Sequence, residues 1–365
     1  MKLISCNFDG YKNLKNCNIE PVNGLNLIYG KNAQGKTNFL EAISLFSGKI
    51  SKEIGKASLI NINEKFAKLK IKFLNGEELN ESKIFLGEKN KFSLNKVACR
   101  NLNEFFGSFY SVFFSPTSMQ IVKGAPSVKR KFINTAISQI KPDFLKYFRQ
   151  YERVLNQRNK ILKLKSSFDL NLLEVYNIQL AKLGTIISIY RFDYISKIAE
   201  LVSKNYKKIS NNGENLKIFY KSTIFKESIN STYDNDKFRI YLNKLESSIK
   251  MDQKLGFTNF GPHKDDLVFE VDGLNLKNFG SQGQKKTSII ALKLAQAEII
   301  FLISKRRPII LLDEVLSELD EFRQEYLINS LRNNQVFISC CSLTNKFNFK
   351  KNKIFIMNSG SIASN

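Results

Sequence analysis

The segment Gly30–Thr37 has the residue types and the spacing of a phosphate-binding loop. It reads GKNAQGKT and fits the pattern G-x-x-x-x-G-K-[ST]. In this pattern backbone N–H groups converge on the β-phosphate, the lysine reaches the β and γ oxygens, and the hydroxyl binds Mg²⁺. A helix that begins near Lys36 would add the positive end of its dipole. We predict that the nucleotide is contacted by Gly30, Lys31, Asn32, Ala33, Gln34, Gly35, Lys36, Thr37 and Asn38.

Two carboxylates at the end of an apolar run could supply a metal ligand and a catalytic base. Residues 308–314 read PIILLDE, in which four apolar residues are followed by Asp313 and Glu314. A buried parallel strand would bring Asp313 beside the phosphate loop to share the Mg²⁺ shell with Thr37, and would place Glu314 to polarise an attacking water. An ordinary strand that ends in acidic residues has the same pattern, but the phosphate loop in the same chain favours the catalytic interpretation.

A third motif, Ser281–Gln284, stands at the start of an Ala- and Leu-rich helix predicted to run to Ser304. Its sequence, SQGQ, puts a small residue and a glycine at the amino end of the helix. Backbone N–H groups there are free for an anion, and the Ser281 hydroxyl can donate as well. A plain helix N-cap at Ser281 is the alternative interpretation.

Strands and helices around these motifs predict an α/β framework. Leu25–Tyr29 is a strand ahead of the loop and the helix from Lys36 ends near Gly48, a context that disfavours a glycine turn that binds nothing. Ala67–Phe73 alternates with period two before a hairpin signal at Asn75–Gly76. Further strand-like runs are Tyr110–Phe114, Asp266–Val271, Ile309–Leu312, Val336–Ser339 and Ile354–Met357.

The middle third of the chain is predicted to be a helical insert. Apolar residues recur at helical spacing over Ser127–Lys165, with an interruption at Pro142, over Leu170–Tyr206 and over Lys237–Leu255. These segments are too short and too broadly apolar for a long coiled coil, so we expect a compact, all-helical arm. The predicted boundaries are 1–118 and 256–365 for the two parts of the α/β domain and 119–255 for the arm.

Charge and cysteine usage narrow the functional class. The 365 residues carry a formal charge of +24, which implies an anionic partner such as nucleic acid or a membrane surface. The five cysteines form no C-x-x-C pair and His263 is the only histidine, so zinc and disulfide frameworks are disfavoured. Because neither a signal-peptide pattern nor an apolar run approaching 18 residues is found, we expect a cytoplasmic protein without a membrane partner.

Much of the positive charge is concentrated between Lys123 and Lys165. This stretch holds 12 Lys and Arg residues against Asp143 and Glu152. No base-reading motif is visible, so we predict salt-dependent recognition of the backbone and the shape of a nucleic acid. A solvated helix face is the alternative for any one of these residues. The DNA-binding candidates are Lys129, Arg130, Lys131, Arg149, Arg153 and Arg158.

In its order of motifs the chain resembles the ABC-type ATPases of the SMC group, and within that group the bacterial RecF family. The phosphate loop, the S-x-G-Q signature, the D-E strand end and a following Ser317–Asp320 segment, SELD, occur in the order typical of the group. The segments that carry the closer resemblance extend over nearly the whole chain: Tyr29–Asn38, Phe114–Pro116, Lys123–Pro126, Tyr151, Val154–Asn159, Gly261–Asp266, Ser281–Gln284 and Leu311–Asp320.

The resemblance implies an ABC-type ATPase head, with a mixed or parallel sheet, that carries an inserted helical arm. It implies an ATP- and Mg²⁺-dependent homodimer in which Ser281 and Gly283 of one subunit contact the γ-phosphate held by Lys36 of the other. The catalytic residues would be Lys36, Glu314, Ser281, Gly283 and Gln284, with Thr37 and Asp313 on the metal. The implied activity is weak, DNA-stimulated ATP hydrolysis that releases a DNA-bound dimer.

The same resemblance implies a role in recombinational DNA repair and replication, in the response to DNA damage and in the SOS response. Binding would occur at single-/double-strand junctions or gaps, with RecR and RecO as partners. The expected location is the cytoplasm, in association with the nucleoid.

Several positions depart from the family pattern. Phe8–Tyr11 reads FDGY where the family tends to show Phe-Arg-Asn-Tyr, Lys264 replaces an arginine, Thr117–Ser118 replaces an acidic pair, Asn134 replaces an aspartate, and Glu314 stands where aspartate is frequent. In addition, the strand after the D-E motif is followed by cysteine rather than by the switch histidine of many ABC ATPases, which leaves the γ-phosphate sensor open. For His263 we favour a turn residue that bonds to backbone.

Two other classes share the phosphate loop. The nucleotide-binding subunit of a membrane transporter would need a membrane partner, and the long insert and the basic stretch argue against it. A P-loop kinase or GTPase that acts on a small substrate would give Ser281–Gln284 no role.

Overall fold

The computed structural model describes residues 1–48, 57–100, 102–164, 170–210, 213–226, 229–341 and 351–364. The chain divides into two compact units. Unit 1 consists of Met1–Met119 and Ile289–Asn365, and unit 2 consists of Gln120–Ser288.

The elements follow one another in three stretches. The first holds β1 (Lys2–Asp9), β2 (Cys17–Ile19), β3 (Leu25–Tyr29), α1 (Lys36–Leu45), β4 (Ala67–Asn75), β5 (Glu78–Leu86), β6 (Lys91–Leu94), β7 (Val97–Ala98), α2 (Leu102–Phe105) and β8 (Ser111–Phe114). The second holds α3 (Gln120–Lys123), α4 (Pro126–Ile140), α5 (Pro142–Leu162), α6 (Leu170–Ile209), β9 (Leu216–Lys221), α7 (Asn235–Ser247), α8 (Ile249–Leu255), β10 (Asp266–Val271), β11 (Leu274–Asn275) and α9 (Leu276–Phe279). The last holds α10 (Gln282–Ser304), β12 (Ile309–Asp313), α11 (Glu321–Ser330), β13 (Val336–Cys340), β14 (Asn352–Asn358) and β15 (Ser361–Ser364).

Unit 1 contains two six-stranded sheets. The first has the order β15-β14-β3-β13-β12-β8, and β14, β3, β13, β12 and β8 run parallel to one another. Its strand β12, IILLD, is buried at all five positions, as expected for a strand that is covered on both faces. Because β3 and β12 are both neighbours of β13, their carboxyl ends meet at one edge of this sheet.

The second sheet of unit 1 is antiparallel and has the order β2-β1-β4-β5-β6-β7. In β4 the residues alternate, so that Leu69, Ile71 and Phe73 are buried while the lysines between them point away from the core. The predicted hairpin at Asn75–Gly76 joins β4 to β5. Aromatic rings, including Phe46, Phe73, Phe105 and Phe109, fill the core below this sheet.

Unit 2 corrects the prediction of an all-helical arm. Its long helices α4, α5 and α6 agree with the predicted pattern, and the break between α4 and α5 falls at Lys141, directly before Pro142. However, β9 pairs antiparallel with β10 along six residue pairs, and β11 completes a three-stranded sheet. The sequence of β9, LKIFYK, alternates apolar and polar residues, but the long helical patterns on either side of it led to the prediction of helix alone.

This sheet also moves the second domain boundary. The predicted boundary lies after residue 255, whereas unit 2 continues to Ser288, because the pairing of β10 with β9 ties residues 266–271 to the arm. The first boundary lies within one residue of the predicted position 118/119. The predicted pattern over Lys237–Leu255 is two helices, α7 and α8, and Lys165 lies outside the described residues.

Among the residues that the structure describes, two helices have the length and mean hydropathy of a membrane span, α6 and α10. Half of the most apolar window of α6 and 72% of that of α10 are buried inside the structure. This burial is typical of the core helices of a globular domain.

Candidate nucleotide site

The phosphate loop joins the carboxyl end of β3 to the first turn of α1. Gly35 is in the left-handed region with φ of 109°, and a Cβ there would lie 2.8 Å from Oδ1 of Asn13. At Gly30 a Cβ would lie 2.5 Å from the carbonyl oxygen of Met357. Both positions therefore need glycine, the first for its backbone conformation and the second for the close approach of β14.

Lys36 is buried, with 3% of its surface exposed, and its ammonium group faces the loop. Nζ donates to the carbonyl oxygens of Gly30 and Lys31, both at 2.9 Å, and to Sγ of Cys341 at 3.3 Å. A phosphate oxygen is a stronger acceptor for an ammonium group than these neutral partners. The Lys36 ammonium group is thus buried beside the loop, and a phosphate could replace the neutral acceptors of its N–H groups.

The structure brings Thr37 and Asp313 together. Oγ1 of Thr37 donates to Oδ1 of Asp313 at 2.9 Å, and the same carboxylate oxygen accepts from Oγ of Ser339 at 2.8 Å. Burial raises the pKa of Asp313, while the hydrogen bonds from Ser339 and Thr37 act in the opposite direction. A hydroxyl and a carboxylate in contact fit Mg²⁺, which takes few protein oxygens and keeps waters and phosphate oxygens in its shell.

Glu314 is held in an uncommon backbone conformation next to this pair. Its φ is 53°, and its N–H donates to Oγ of Ser339 at 3.0 Å. The side chain is 43% exposed, and Oε1 lies 3.8 Å from Nζ of Lys36. A non-glycine residue in the left-handed region costs free energy and is frequent at functional sites. The Glu314 carboxylate therefore lies beside the phosphate loop, close to Lys36 and next to Asp313.

Ser339 and Cys341 are site residues that the sequence-based prediction did not include. Ser339 is buried and connects Asp313 to Glu314. Sγ of Cys341 lies 2.8 Å from Oδ1 of Asn32 and 3.8 Å from Oε1 of Glu314. The signal for both residues was their position at the end of the apolar run next to the D-E strand in the parallel sheet.

Lys12 and Asn13 are further residues that the prediction missed. Asn13 accepts through Oδ1 from Nδ2 of Asn38 at 2.8 Å, and Lys12 forms an ion pair with Glu41 of α1. Asp9, by contrast, is exposed and accepts from the N–H of Asn16. The basic residue and the asparagine beside the loop are therefore Lys12 and Asn13, whereas Asp9 of the Phe8–Tyr11 segment faces solvent.

A recess of about 680 Å³ adjoins the loop on this side. It is large enough for a nucleobase and a ribose, and it is open to solvent. Its walls are Lys12, Asn13, Lys15, Ser58, Ile60, Asn61, Ile62, Asn63 and Ser359. The wall at Ser359 is tied to the phosphate loop, because the backbone carbonyl of Gln34 accepts from the N–H of Gly360 at 2.9 Å.

The signature motif caps α10 within unit 2. Oγ of Ser281 accepts from the N–H of Gln284 at 3.1 Å, and Oε1 of Gln284 accepts from the N–H of Ser281 at 2.8 Å, which is a capping box. Gln284 also donates to Glu214 at 2.8 Å. Ser281 is exposed and Gly283 is half-buried, so the amino end of α10 faces solvent in the single chain.

Two of the six DNA-binding candidates are structural residues instead. Arg158 has no exposed surface and bonds at 2.7 Å to Asp252, Thr258 and Asn177. Lys129 is 4% exposed and donates to the carbonyl oxygen of Leu267 at 2.8 Å. Both are therefore unsuited to a surface that contacts DNA.

The other four candidates are at least partly exposed. Arg130 and Arg149 are partly buried, Arg130 donates to the carbonyl oxygen of Asp265 at 2.8 Å, and burial lowers the pKa of both guanidinium groups. Lys131 and Arg153 are exposed. Arg153 lines a recess of about 650 Å³ along α5, together with Asn156, Gln157, Asn159, Lys160 and Lys163.

His263 is a partly buried turn residue that bonds to backbone, as expected. Its Nε2 donates to the carbonyl oxygen of Thr258 at 2.9 Å, which leaves Nδ1 to accept from the Tyr151 hydroxyl at 2.6 Å. Burial lowers the pKa of His263 to about 4. In the described part of the chain no group of three or more His, Cys, Asp or Glu residues could hold a metal ion.

The chain is similar to curated proteins and to solved structures along its whole length. "DNA replication and repair protein RecF" of Alkaliphilus oremlandii is 35% identical over 357 residues, covering 96% of this chain and 97% of the relative. The protein of that name from Clostridioides difficile is 35% identical over 363 residues, covering 98% and 96%. No protein-family model matches the chain.

The similarity extends to three-dimensional structure. A solved structure of "the recombination mediator protein RecF-ATP in RecFOR pathway" superposes with a TM-score of 0.90 at 30% identity, covering all of this chain and 97% of that one. The Smc head domain from Pyrococcus furiosus superposes with a TM-score of 0.54 at 15% identity, covering 100% and 96%. The latter shows the fold alone, which is that of an ABC-type ATPase head.

Proposed function

The chain belongs to the RecF family of DNA replication and repair proteins, and from this premise we propose that it binds DNA in recombinational repair under the control of ATP. The observation that supports the proposal best is the convergence of Lys36, Thr37, Asp313 and Glu314 at the carboxyl edge of the parallel sheet. A transporter subunit and a small-substrate kinase are thereby set aside, because neither belongs to this family.

ATP would be held by the loop that ends in Lys36 and Thr37. Its phosphates would accept the hydrogen bonds that the Lys36 ammonium group now donates to the carbonyl oxygens of Gly30 and Lys31. Thr37 and Asp313 would hold Mg²⁺, which neutralises charge on the β and γ oxygens. The recess beside Lys12 and Asn13 would receive the nucleoside, so the loop and the recess together would favour a complete nucleotide over inorganic phosphate.

Hydrolysis would depend on Glu314 and on the residues that position it. The hydrogen bond from the Glu314 N–H to Ser339 fixes the backbone, and the carboxylate, which is 43% exposed, would orient a water. Cys341 directly follows β13 and lies close to Lys36, where it would contact the terminal phosphate in place of a histidine. A thiol is a weaker hydrogen-bond donor than an imidazolium group, which is consistent with slow turnover.

Dimerisation would complete the site. Ser281, Gly283 and Gln284 are arranged at an exposed helix amino end that suits an anion. In the proposed dimer this end would meet the γ-phosphate held by the other subunit, so that ATP becomes part of the interface. Hydrolysis removes that contact and would shift the population back to monomers.

DNA would be bound through its backbone by the exposed side of α5. Arg149 and Arg153 lie there with Asn156, Gln157 and Lys160, residue types that contact phosphates. This surface would engage single-/double-strand junctions or gaps, and RecR and RecO would be the protein partners. The proposed location is the cytoplasm, in association with the nucleoid.

The test is the affinity of the purified protein for a gapped DNA duplex with and without Mg·ATP. We expect ATP to raise the affinity of the wild-type protein, and we expect no ATP effect with Lys36→Ala, because the loop loses its phosphate-binding cation. Equal DNA affinity with and without ATP in the wild-type protein would disprove ATP control.

A further inference from the structure

The antiparallel sheet of unit 1 presents a solvent-exposed face that carries mostly lysines and amides. Because β-strand side chains alternate, the burial of Leu69, Ile71 and Phe73 turns Lys68, Lys70 and Lys72 to the opposite side. The neighbouring strands add Asn7 and Asn18 on one side of β4 and Lys83 and Lys91 on the other. We call these seven residues the basic sheet face.

Strand register brings these side chains into rows. One row crosses the sheet as Asn18, Asn7, Lys70, Lys83 and Ser93, each directly opposite the next. Along β4 the lysines are two residues apart, which is about 6.7 Å. The rise of two nucleotides along one strand of a DNA duplex is about 6.8 Å, so successive lysines of β4 can reach different phosphates.

The charges on this face are only partly neutralised. Glu81 pairs with both Lys70 and Lys83 at 2.8 Å, and these hydrogen bonds lower the pKa of Glu81 to about 2. The side chains of Lys70 and Lys83 remain 35% and 46% exposed. Two acidic residues share the face: Glu81 lies opposite Lys72 in the pairing of β4 with β5, and Asp9 lies opposite Lys68 in the pairing of β1 with β4. Because the Glu81 carboxylate is engaged by Lys70 and Lys83, and the face carries five lysines, a net positive charge is left for an anion.

A recess of about 530 Å³ lies on the same side of the sheet, at its β2 edge. Three lysines, Lys70, Lys72 and Lys353, face it, and Glu20 is the only acidic residue of its lining. The rest of the lining is Ser5, Asn7, Asn18 and Ile19. Hydroxyl, amide and ammonium groups donate hydrogen bonds to phosphate oxygens in protein–DNA complexes. A single apolar residue is too few for a hydrophobic protein interface.

We propose that the basic sheet face, together with Lys353, is a second surface of this protein for the phosphate backbone of duplex DNA. The occupant follows from charge complementarity, because the lysines are spread over a flat area that matches a row of phosphates rather than gathered around a single anion. This inference rests on the proposed function, since it assigns an additional contact with the same partner. It places that contact in unit 1, whereas the candidates named from the sequence belong to unit 2.

The experiment measures the salt dependence of binding to a blunt DNA duplex in the presence of Mg·ATP. The triple variant Lys70→Gln, Lys72→Gln, Lys353→Gln should lose affinity on the order of tenfold or more at low salt. Its plot of log affinity against log salt should be shallower by about 3, since each lost phosphate contact removes about 0.9. The matched control, Lys204→Gln, Lys208→Gln, Lys250→Gln, removes the same charge from exposed residues of unit 2 and should keep both values.

The outcomes separate the two proposals. A triple variant with the wild-type slope, while the wild-type protein binds DNA in an ATP-dependent way, overturns the basic sheet face alone. Failure of the wild-type protein to bind DNA in any nucleotide state overturns the proposed function as well. Unchanged affinity of the triple variant for ATP shows that it is folded, and a variant that keeps DNA binding but loses binding to anionic lipid vesicles would assign the face to membranes and overturn the proposal.

Discussion

Replacing Ser339 by alanine should remove a hydrogen bond from both Asp313, the proposed metal ligand, and Glu314, the proposed base. The Ser339 side chain donates to Asp313 at 2.8 Å and accepts from the N–H of Glu314 at 3.0 Å, and the residue is 3% exposed. A hydrogen bond to a charged group contributes about 1.5–3 kcal/mol, and a buried N–H left without a partner costs about 1–3 kcal/mol. Since water can partly replace one of these bonds, we expect the free energy of unfolding to fall by about 2–4 kcal/mol.

The same change should slow ATP turnover. Without the bond to Ser339, Glu314 is no longer held at its φ of 53° and can relax to an unstrained conformation. We expect turnover at saturating ATP to fall about tenfold or more, which corresponds to a barrier higher by about 1.4 kcal/mol. Chemical denaturation of the nucleotide-free protein and a steady-state phosphate-release assay measure the two effects separately.

The loss of stability should also depend on pH in a defined direction. Ser339 stabilises the ionised form of Asp313, and its removal raises the pKa of that carboxyl further. The part of the stability difference that comes from the bond to Asp313 is therefore fully present above the raised pKa of Asp313 in the variant, and it shrinks as the pH falls from that pKa to the lower pKa of the wild type. Ser330→Ala, which removes an exposed helical hydroxyl, is the control, and a Ser339→Ala protein within about 0.5 kcal/mol of that control would refute the reasoning.

Three further predictions concern residues outside the catalytic pair. Arg158→Met should lower the free energy of unfolding by about 3–5 kcal/mol, because it leaves Asp252 buried and unpaired. Arg153→Gln should leave the free energy of unfolding unchanged and weaken DNA binding. Equal stability of the two variants would contradict this prediction. His263 is neutral in the folded protein, with its pKa lowered to about 4, so its contribution to stability is present above pH 6.5 and is lost between pH 6.5 and pH 4. His263→Gln should therefore flatten the plot of unfolding free energy against pH over that interval. An unchanged slope of that plot would contradict the prediction. Mg·ATP should slow alkylation of Cys341, measured by mass spectrometry, by about tenfold relative to Cys99, and equal rates with and without ATP would place the thiol away from the phosphates.

The α/β part of the fold could be predicted because its signals are local. Buried parallel strands such as β12 are continuous apolar runs, and the helix bounds Gln282–Ser304 agree with the prediction. Strand β9 was missed because a six-residue alternation next to a 40-residue helix carries little weight until its partner β10 is known. Pairing across about fifty residues is a property of the tertiary structure that no local window contains.

The candidate site shows the same division. Lys36, Thr37, Asp313 and Glu314 could be named from the sequence because their spacing relative to strand ends is fixed by the motifs. Ser339 could not, because a serine in an apolar run has no meaning until the register of β12 and β13 places it opposite Asp313. Arg158 and Lys129 were misassigned because a basic residue on a helix has the same sequence signal whether it faces solvent or a buried carboxylate.

The central claim is that ATP is hydrolysed between two subunits, one supplying Glu314 and the other Ser281. Its most direct test is the rate of ATP hydrolysis by a mixture of two inactive variants, Glu314→Gln and Ser281→Arg. In a mixed dimer one composite site carries both substitutions and the other carries neither. We expect that mixing restores a substantial part of wild-type turnover, whereas a mixture no more active than the two separate variants would contradict hydrolysis between subunits.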